Sequence, residues 1–417
     1  MKLVHEPPRD IPVVEEKEVV VAGGGMAGVA AAVAAARAGA HVLLIERYGF
    51  LGGMATAALV DTIPPVAKGI GTEIKNRISD LGGISTERRF WSSWDPEAIK
   101  RVCLDIIEES HVDLLLHTLI VGTIVEERKV SGVILESKSG RTAVLGNVLV
   151  DATGDGDVAA KSGAQFLYGD KAGKTLPMTL MFNLRNVDKS RGGKFLNPSI
   201  KEFVKRAIKE GTKWEIGLDQ YEGQPGVCAA PMVESDEVSI WGGVIEDLKA
   251  IDVNDLTKAE RLARKHVPIL VEVLRKYVPG FENATVKDTA AQIGVRESRR
   301  IIGNHYLTLD EARAGGRYED AIGRLDYGNW HYWVPYGILV PKDCQGILNA
   351  GRCVSADREV LYIAGLREIP GAMLTGEAAG TAAALCVRSG KDPKDLNISD
   401  LQERLVKQGA LQLTIAR

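Results

Sequence analysis

Residues 19–46 read VVVAGGGMAGVAAAVAAARAGAHVLLIE, and this stretch decides the fold. Val19–Ala22 is apolar at every position, which is typical of a strand buried on both faces of a parallel sheet. Met26–Ala38 is rich in alanine, a strong helix former with a small cross-section, and Gly39 ends the helix. His41–Ile45 is again an apolar strand. The pattern predicts a strand, a glycine turn, a helix and a second strand, as in an α/β fold with a parallel sheet.

The glycines between the first strand and the helix have the spacing G-x-G-x-x-G. Gly23 makes the tight turn, Gly25 lets the backbone approach a pyrophosphate, and Gly28 lets the helix pack close to the strand. Glu46 follows at about the 20-residue distance where an acid hydrogen-bonds a ribose diol. Because a basic residue is not at that place, FAD or NAD is favoured over NADP. An ordinary glycine-rich turn is the alternative, which the strand, the helix and the acid together disfavour.

Composition narrows the class of protein. The chain has 417 residues, of which 45% are hydrophobic and 26% charged, so we expect a soluble globular protein of two or three domains. A net charge of −3 without a basic run disfavours nucleic acid and anionic membranes as partners. The five cysteines form no C-x-x-C, so no metal site is expected, and scattered thiols fit a cytoplasmic protein. Neither a signal peptide nor a membrane span is predicted.

Strands and small-residue turns recur further along the chain. Gly52–Thr56 is a small-residue loop, and Val112–Leu116 is a strand that returns to the parallel sheet. A β-meander is predicted over Ile120–Glu126, Val130–Ser137 and Arg141–Leu145. Asn147–Gly156 reads NVLVDATGDG, a strand that ends in a tight turn, after which Asp157 can cap a helix.

Five segments in this order resemble a large bacterial family of FAD-dependent oxidoreductases: GGGMAG, LGGMAT, DATGDGD, GVRESRR and AGRCVSA. The wider group includes the flavoproteins of succinate dehydrogenase and fumarate reductase. The resemblance spans nearly the whole chain and implies FAD, bound by a Rossmann-like α/β domain with a parallel sheet and a β-meander. It also implies an inserted α+β substrate domain, with the FAD-binding domain at 1–165 and 335–417 and the substrate domain at 166–334.

The motifs and the resemblance together predict the residues that contact FAD. They are Gly23, Gly25, Met26, Ala27, Gly28, Glu46, Arg47, Gly52, Gly53, Met54, Ala55, Thr56, Ala152, Thr153, Gly154, Asp157, Gly351, Arg352, Leu366, Arg367, Ala372 and Met373. The resemblance further implies that the N-terminus of a helix over Leu374–Arg388 faces the flavin N1–O2 edge and stabilises the reduced anion. Gly365, Ala372 and Glu377 stand where many relatives carry serine, cysteine and glutamine, so no relative's substrate is carried over.

Two stretches supply candidates for catalysis. In GVRESRR, Arg296 or Arg299 is a candidate to hold a substrate carboxylate, carbonyl or hydroxyl, and an Arg–Glu network between the domains is an equal alternative. In DYGNWHYWVPYG, His331 and Tyr332 are the candidates to move a proton. A structural histidine and core aromatic residues are the alternatives there.

The predicted activity is hydride transfer between a small organic substrate and flavin N5. Two alternatives stay open, an NAD-dependent dehydrogenase and a flavoprotein subunit that passes electrons to a protein partner. A nucleic-acid-modifying flavoprotein is disfavoured by the acidic balance. The chain has no second G-x-G-x-x-G after a strand, so a separate NADPH domain is not expected. The electron acceptor (oxygen, a quinone or a protein) and a homo-oligomeric state are left open.

Overall fold

The structure, a computed structural model, describes residues 2–66, 68–85, 91–193, 199–220 and 223–412. In these ranges the strands are β1 (Val13–Ala22), β2 (Val42–Ile45), β3 (Thr62–Ile63), β4 (Ile84–Ser85), β5 (Ser92–Trp94), β6 (Asp113–Leu115), β7 (Leu119–Glu126), β8 (Lys129–Ser137), β9 (Gly140–Asp151), β10 (Phe166–Tyr168), β11 (Met181–Arg185), β12 (Val227–Pro231), β13 (Val238–Gly242), β14 (Thr285–Thr289), β15 (Arg299–Ile301), β16 (Ala321–Tyr327), β17 (Trp330–Pro335) and β18 (Ile347–Asn349). The helices are α1 (Met26–Arg37), α2 (Met54–Ala57), α3 (Gly69–Asp80), α4 (Pro96–Glu109), α5 (Asp157–Lys161), α6 (Lys189–Gly192), α7 (Ser199–Lys209), α8 (Val253–Tyr277), α9 (Leu309–Ala314), α10 (Arg358–Tyr362), α11 (Ile369–Ser389) and α12 (Ile398–Lys407).

The main sheet has seven strands in the order β6-β2-β1-β9-β8-β7, with β18 beside β9. The strands β6, β2, β1, β9 and β18 are parallel, and β7, β8 and β9 form an antiparallel meander. This confirms the predicted α/β fold with a parallel sheet and a β-meander. The carboxyl ends of β1, β9 and β18 meet at one edge of the sheet, where Ala22, Asp151 and Asn349 are in register.

The third strand of the meander and the strand before the DATGDG turn are one continuous strand, β9. The prediction of two strands, broken at Gly146, was therefore wrong. Gly146 pairs with Lys17 of β1 and keeps the ladder intact. A Cβ at Gly146 would lie 2.8 Å from a methyl group of Val20, so glycine here permits close packing instead of a turn.

Helices α1 and α11 pack backbone to backbone on one face of the main sheet. A Cβ at Gly376 would lie 2.1 Å from the carbonyl oxygen of Ala27, and one at Gly380 would lie 1.9 Å from that of Ala31. This contact explains the glycine- and alanine-rich sequence of α11, because only small residues allow it. The helix starts at Ile369, earlier than predicted, with Pro370 in its first turn.

A second hydrophobic core surrounds a separate antiparallel sheet in the order β12-β13-β11-β14, with α7 and α8 packed against it. This core contains residues from 178–293, together with Leu59. The β16–β17 hairpin lies inside the predicted substrate domain. It nevertheless contributes Tyr332 and Trp333 to the hydrophobic core that α1 and α11 form beside the main sheet. The division into domains at 165 and 335 stays a prediction.

Candidate functional site

A cavity of about 760 Å³ lies between the carboxyl ends of β1, β9 and β18 and the β12-β13-β11-β14 sheet. We call one part the glycine end; its lining includes Gly23, Gly25, Met26, Ala27, Glu46, Arg47, Gly52, Gly53, Met54, Ala55, Ala152, Thr153, Gly154, Gly351 and Arg352. We call the other part the arginine end; its lining includes Trp91, Trp241, Arg296, Tyr327, Tyr362 and Arg367. The first turn of α11 also lines the cavity, through Ala372.

Backbone atoms build the glycine end. Gly23 has a φ of 96°, and a Cβ at Gly28 would lie 1.8 Å from the Gly23 carbonyl oxygen, so both positions require glycine. The N–H of Gly52 donates to the Gly24 carbonyl oxygen at 2.9 Å. A Cβ at Gly53 would lie 2.7 Å from the Cα of Gly25. The turn after β1 and the loop before α2 therefore form a single surface.

The Glu46 carboxylate is fixed at this surface. Its Oε2 accepts the N–H of Gly24 at 2.7 Å, and its Oε1 accepts the N–H of Tyr48 at 2.9 Å. Nη2 of Arg47 and the hydroxyl of Tyr48 both donate to Oε1 of Gln292, which joins this region to the second sheet. The acid at the end of β2 thus has a defined orientation and still lines the cavity.

Two aspartates organise the turn after β9. Asp151 is buried, and its carboxylate accepts the hydroxyl of Thr153 at 2.7 Å and the N–H of Ala159 at 2.9 Å. Asp155 pairs with Arg352 at 2.5 Å and accepts the hydroxyl of Ser298. Burial alone would raise the pKa of Asp155, but Arg352 and Ser298 hold it below its usual value. Asp155 was not among the predicted FAD contacts, although it stands directly after the ATG turn.

Arg296 reaches the cavity with neutral partners. Its Nη1 donates to the Pro177 carbonyl oxygen at 2.6 Å and to Oγ1 of Thr179 at 2.9 Å. Burial, followed by the nearby charge of Arg367, lowers the pKa of Arg296 to about 10. Arg367 pairs with Glu368 at 2.8 Å and lies over the ring of Tyr362. Two guanidinium groups therefore share the arginine end, and no ion pair of Arg296 with a carboxylate is seen among the described residues.

Three of the four catalytic candidates lie away from the cavity lining. Arg299 pairs with Asp157 at 2.9 Å. The His331 side chain is 54% exposed and pairs with Asp326 at 2.7 Å. Tyr332 is buried, and its hydroxyl donates to the Ala364 carbonyl oxygen at 3.1 Å. Alternation along β17 turns His331 to solvent and Tyr332 into the core, so neither reaches the cavity.

Five of the predicted FAD contacts are not among the residues that line the cavity: Gly28, Thr56, Asp157, Leu366 and Met373. The hydroxyl of Thr56, for instance, donates to the Leu51 carbonyl oxygen at 2.8 Å and holds the loop before α2. The aromatic residues of the arginine end were missed. They come from distant parts of the chain, and of these residues only Tyr327 lies in a stretch, DYGNWHYWVPYG, that the sequence pattern singles out.

The parallel sheet with its meander, the glycine turn and the cavity beside it define a dinucleotide-binding protein of the Rossmann type. The chain belongs to the family described as FAD dependent oxidoreductase, whose model matches residues 18–405. FAD is accordingly its cofactor, which removes the main support for the NAD-dependent alternative. Comparison with curated protein sequences gives no match.

Solved structures show the same fold. A geranylgeranyl bacteriochlorophyll reductase-like protein from Thermoplasma acidophilum has a TM-score of 0.55 at 14% identity, over 94% of this chain and 84% of that one. The p-nitrophenol 4-monooxygenase of Pseudomonas putida DLL-E4 has a TM-score of 0.51 at 11% identity, over 95% and 85% of the two chains. A myxobacterial chondrochloren halogenase has a TM-score of 0.50 at 14% identity, over 94% and 79%. These likenesses concern the fold and do not identify a reaction.

The described ranges contain neither a membrane-spanning helix nor a cluster of metal ligands. Every helix there is too short or too polar to cross a membrane. No group of three or more His, Cys, Asp or Glu side chains in these ranges is placed to hold a metal ion.

Proposed function

We propose that this chain transfers a hydride between a small organic substrate that carries an anionic group and N5 of FAD. The observation that carries the proposal is the continuity of the cavity, which is lined both by the glycine turn and by Arg296. Cofactor and substrate would then share one enclosed space, as the reaction requires. Arg296 is the substrate anchor in this proposal; Arg299, His331 and Tyr332 have no direct part.

Three features of the glycine end suit FAD. A Cβ at Gly25 would have only the Cα of Gly53 near it, at 3.7 Å, so a diphosphate can approach the backbone. The first N–H groups of α1 have no partners inside the helix and offer donors at its positive end. The fixed carboxylate of Glu46 keeps lone pairs for a ribose diol. FAD, when bound, supplies the N5 atom that accepts or donates the hydride.

The arginine end suits an anionic substrate. Arg296 is a partly desolvated cation whose hydrogen bonds go to neutral oxygens, so a carboxylate would gain a strong charge-assisted pair there. Arg367 adds a second positive charge nearby. Trp91, Trp241 and Tyr327 would cover the body of the substrate and exclude water from it.

The first test is the visible spectrum of the purified protein, before and after acid precipitation. We expect flavin bands that move to the supernatant as FAD. Each candidate carboxylate should then be tested under anaerobic conditions together with its amide. We expect the carboxylates to bleach the flavin bands and the amides to leave them unchanged. A protein that cannot be reconstituted with FAD would contradict the cofactor assignment. A yellow protein that bleaches only with a protein partner would instead support an electron-transfer subunit.

A further inference from the structure

Hydride transfer from an alcohol or amine also requires a group that accepts a proton, and the carboxylates on the cavity wall are already engaged. Those among the described residues are Glu46, Asp155, Glu260 and Glu368. Glu46 accepts two backbone N–H groups, and Asp155 pairs with Arg352. Glu260 pairs with Arg264 at 3.0 Å, and Glu368 pairs with Arg367 at 2.8 Å. The oxygens of each carboxylate are therefore already used in a hydrogen bond or an ion pair within the protein.

A different carboxyl group lies directly behind the wall. Asp61 is fully buried between β3 and the β12-β13-β11-β14 sheet, and Thr62, the next residue, lines the cavity. The hydroxyl of Thr62 donates to Oδ1 of Asp61 at 3.3 Å. Oδ2 of Asp61 is buried and has no hydrogen-bond partner among the described residues. The carboxyl group thus contacts, through one oxygen, a residue that lines the cavity, and its other oxygen lies near Ser239 without a hydrogen bond of ordinary geometry to any described residue.

The surroundings of Asp61 are polar but contain no cation that pairs with it in the described ranges. Ser239 of β13 is close enough to affect its pKa, and Asp288 of β14 is a nearby acid. Asn183 of β11 donates to Asp288 at 3.0 Å. The Oγ of Ser239 and the Oδ1 of Asn183 are also buried without partners among the described residues. Burial, opposed by the hydroxyl groups of Ser239 and Thr62 and reinforced by Asp288, raises the pKa of Asp61 to about 7.

We infer that Asp61 is the proton acceptor of the reaction and acts through the hydroxyl of Thr62. This inference rests on the proposed function. As the hydride leaves the substrate carbon with its electron pair, the substrate O–H or N–H proton passes to Oγ1 of Thr62. The proton of Thr62 passes at the same time to Oδ1 of Asp61. Two protons shift, the net transfer is one proton from the substrate to Asp61, and Thr62 ends unchanged while Asp61 goes from carboxylate to carboxylic acid.

The connection can be tested without a substrate, by infrared spectroscopy of the FAD-loaded protein. Asp61 should give a carboxylic-acid C=O band that disappears as the pH rises through neutrality and is missing in Asp61→Asn. In D2O the band should shift quickly, because Thr62 links the buried acid to cavity water. Thr62→Val should slow this exchange by about tenfold or more, and Thr62→Ser should preserve it.

Glu377 is the internal control. It is a second buried acid whose pKa burial raises to about 7, but it contacts Ile70 and does not line the cavity. Its band, identified with Glu377→Gln, should exchange at the same rate in both Thr62 variants. Labelling with 13C-aspartate separates the aspartate bands, those of Asp61 and the buried Asp151, from that of Glu377 even if Asp61→Asn does not fold. Of the two aspartate bands, only that of Asp61 should exchange more slowly in Thr62→Val. Absence of an Asp61 acid band at every pH, or equal exchange rates in wild type and Thr62→Val, would overturn the inference.

A substrate that bleaches the flavin adds a second readout. The rate of bleaching should rise with pH through about 7 in the wild type, where Asp61 becomes a carboxylate. In Asp61→Asn the rate should fall by about 100-fold and lose this dependence, with KM little changed. An unaltered pH profile in Asp61→Asn would contradict the inference. If no small molecule bleaches the flavin, the proposed function fails, whereas the exchange result on Asp61 stands independently.

Discussion

The two ends of the cavity differ in the atoms that form their surface. At the glycine end the surface is mainly backbone, held by hydrogen bonds such as that from Gly52 to Gly24 and by contacts that leave no space for a Cβ. At the arginine end the surface consists of long side chains, with Arg296 and Arg367 among aromatic rings. We therefore expect FAD binding at the glycine end to be sensitive to added side-chain volume. Substrate turnover at the arginine end should instead be sensitive to the removal of a positive charge.

The strongest test of this contrast adds a single methyl group at Gly28. In the interior of an exposed helix, Gly→Ala ordinarily stabilises by about 1 kcal/mol. Here the new Cβ would lie 1.8 Å from the Gly23 carbonyl oxygen, so the turn must move. We expect Gly28→Ala to lower the free energy of unfolding by about 1–3 kcal/mol and to abolish FAD binding. Urea unfolding and the FAD content per chain measure the two effects.

Gly316→Ala is the control for that experiment, because a Cβ there meets nothing within 4 Å and no positive φ is required. It should retain FAD and wild-type stability within about 0.5 kcal/mol. Normal FAD binding by Gly28→Ala would show that the glycine end tolerates volume, and the contrast between the two ends would be lost.

The second test removes charge from the arginine end. Arg296→Gln keeps a donor toward Thr179 but loses the cation, so kcat/KM for a carboxylate substrate should fall by about 100-fold. FAD content should stay at the wild-type level. Arg324→Gln, which alters an arginine paired with Asp326 outside the cavity lining, should change kcat/KM by less than about twofold. Loss of FAD in Arg296→Gln with substrate binding retained would reverse the assignment of the two ends.

This contrast also explains what the sequence could and could not predict. The glycine end is formed by short segments whose function depends on local spacing, so Gly23, Gly25 and Glu46 could be selected from the sequence. The parallel sheet and its meander followed from the same local patterns. That these residues contact FAD remains a prediction.

The arginine end depends on contacts between distant segments. Trp241 reaches the cavity from β13 of the second sheet, and Trp91, just before β5, packs against Tyr327 with 5.9 Å between the ring centroids. Hydropathy carries no information about either contact. His331 and Tyr332 were selected for their chemistry, but the register of the β16–β17 hairpin decides where they point. Asp61 has no motif either. Asp61 is singled out by its burial and by its hydrogen bond with Thr62, and both arise only in the folded chain.

The smallest expected effect concerns Glu377, the buried acid behind the glycine end, which is compared with Asp61, the buried acid behind the cavity wall. Glu377 lies in α11, the helix packed on α1 behind the glycine end, and its Oε2 accepts the N–H of Ile70 at 2.9 Å. Because burial raises its pKa from 4.5 to about 7, the folded protein keeps a proton that the unfolded chain releases. Its contribution to stability is therefore complete below about pH 4.5 and is lost as the pH rises to about 7.

Glu377→Gln mimics the protonated acid at every pH. We expect the variant to match the wild type at acidic pH and to exceed it by about 1–3 kcal/mol in free energy of unfolding above neutrality. Urea unfolding across this pH range measures the difference, with the exposed Glu272→Gln as a control that should follow the wild-type curve. Parallel curves for Glu377→Gln and wild type would show that this acid titrates normally. Glu377→Gln should leave the rate of proton exchange at Asp61 unchanged. Glu377 does not line the cavity, so its replacement does not affect the contact between Asp61 and Thr62.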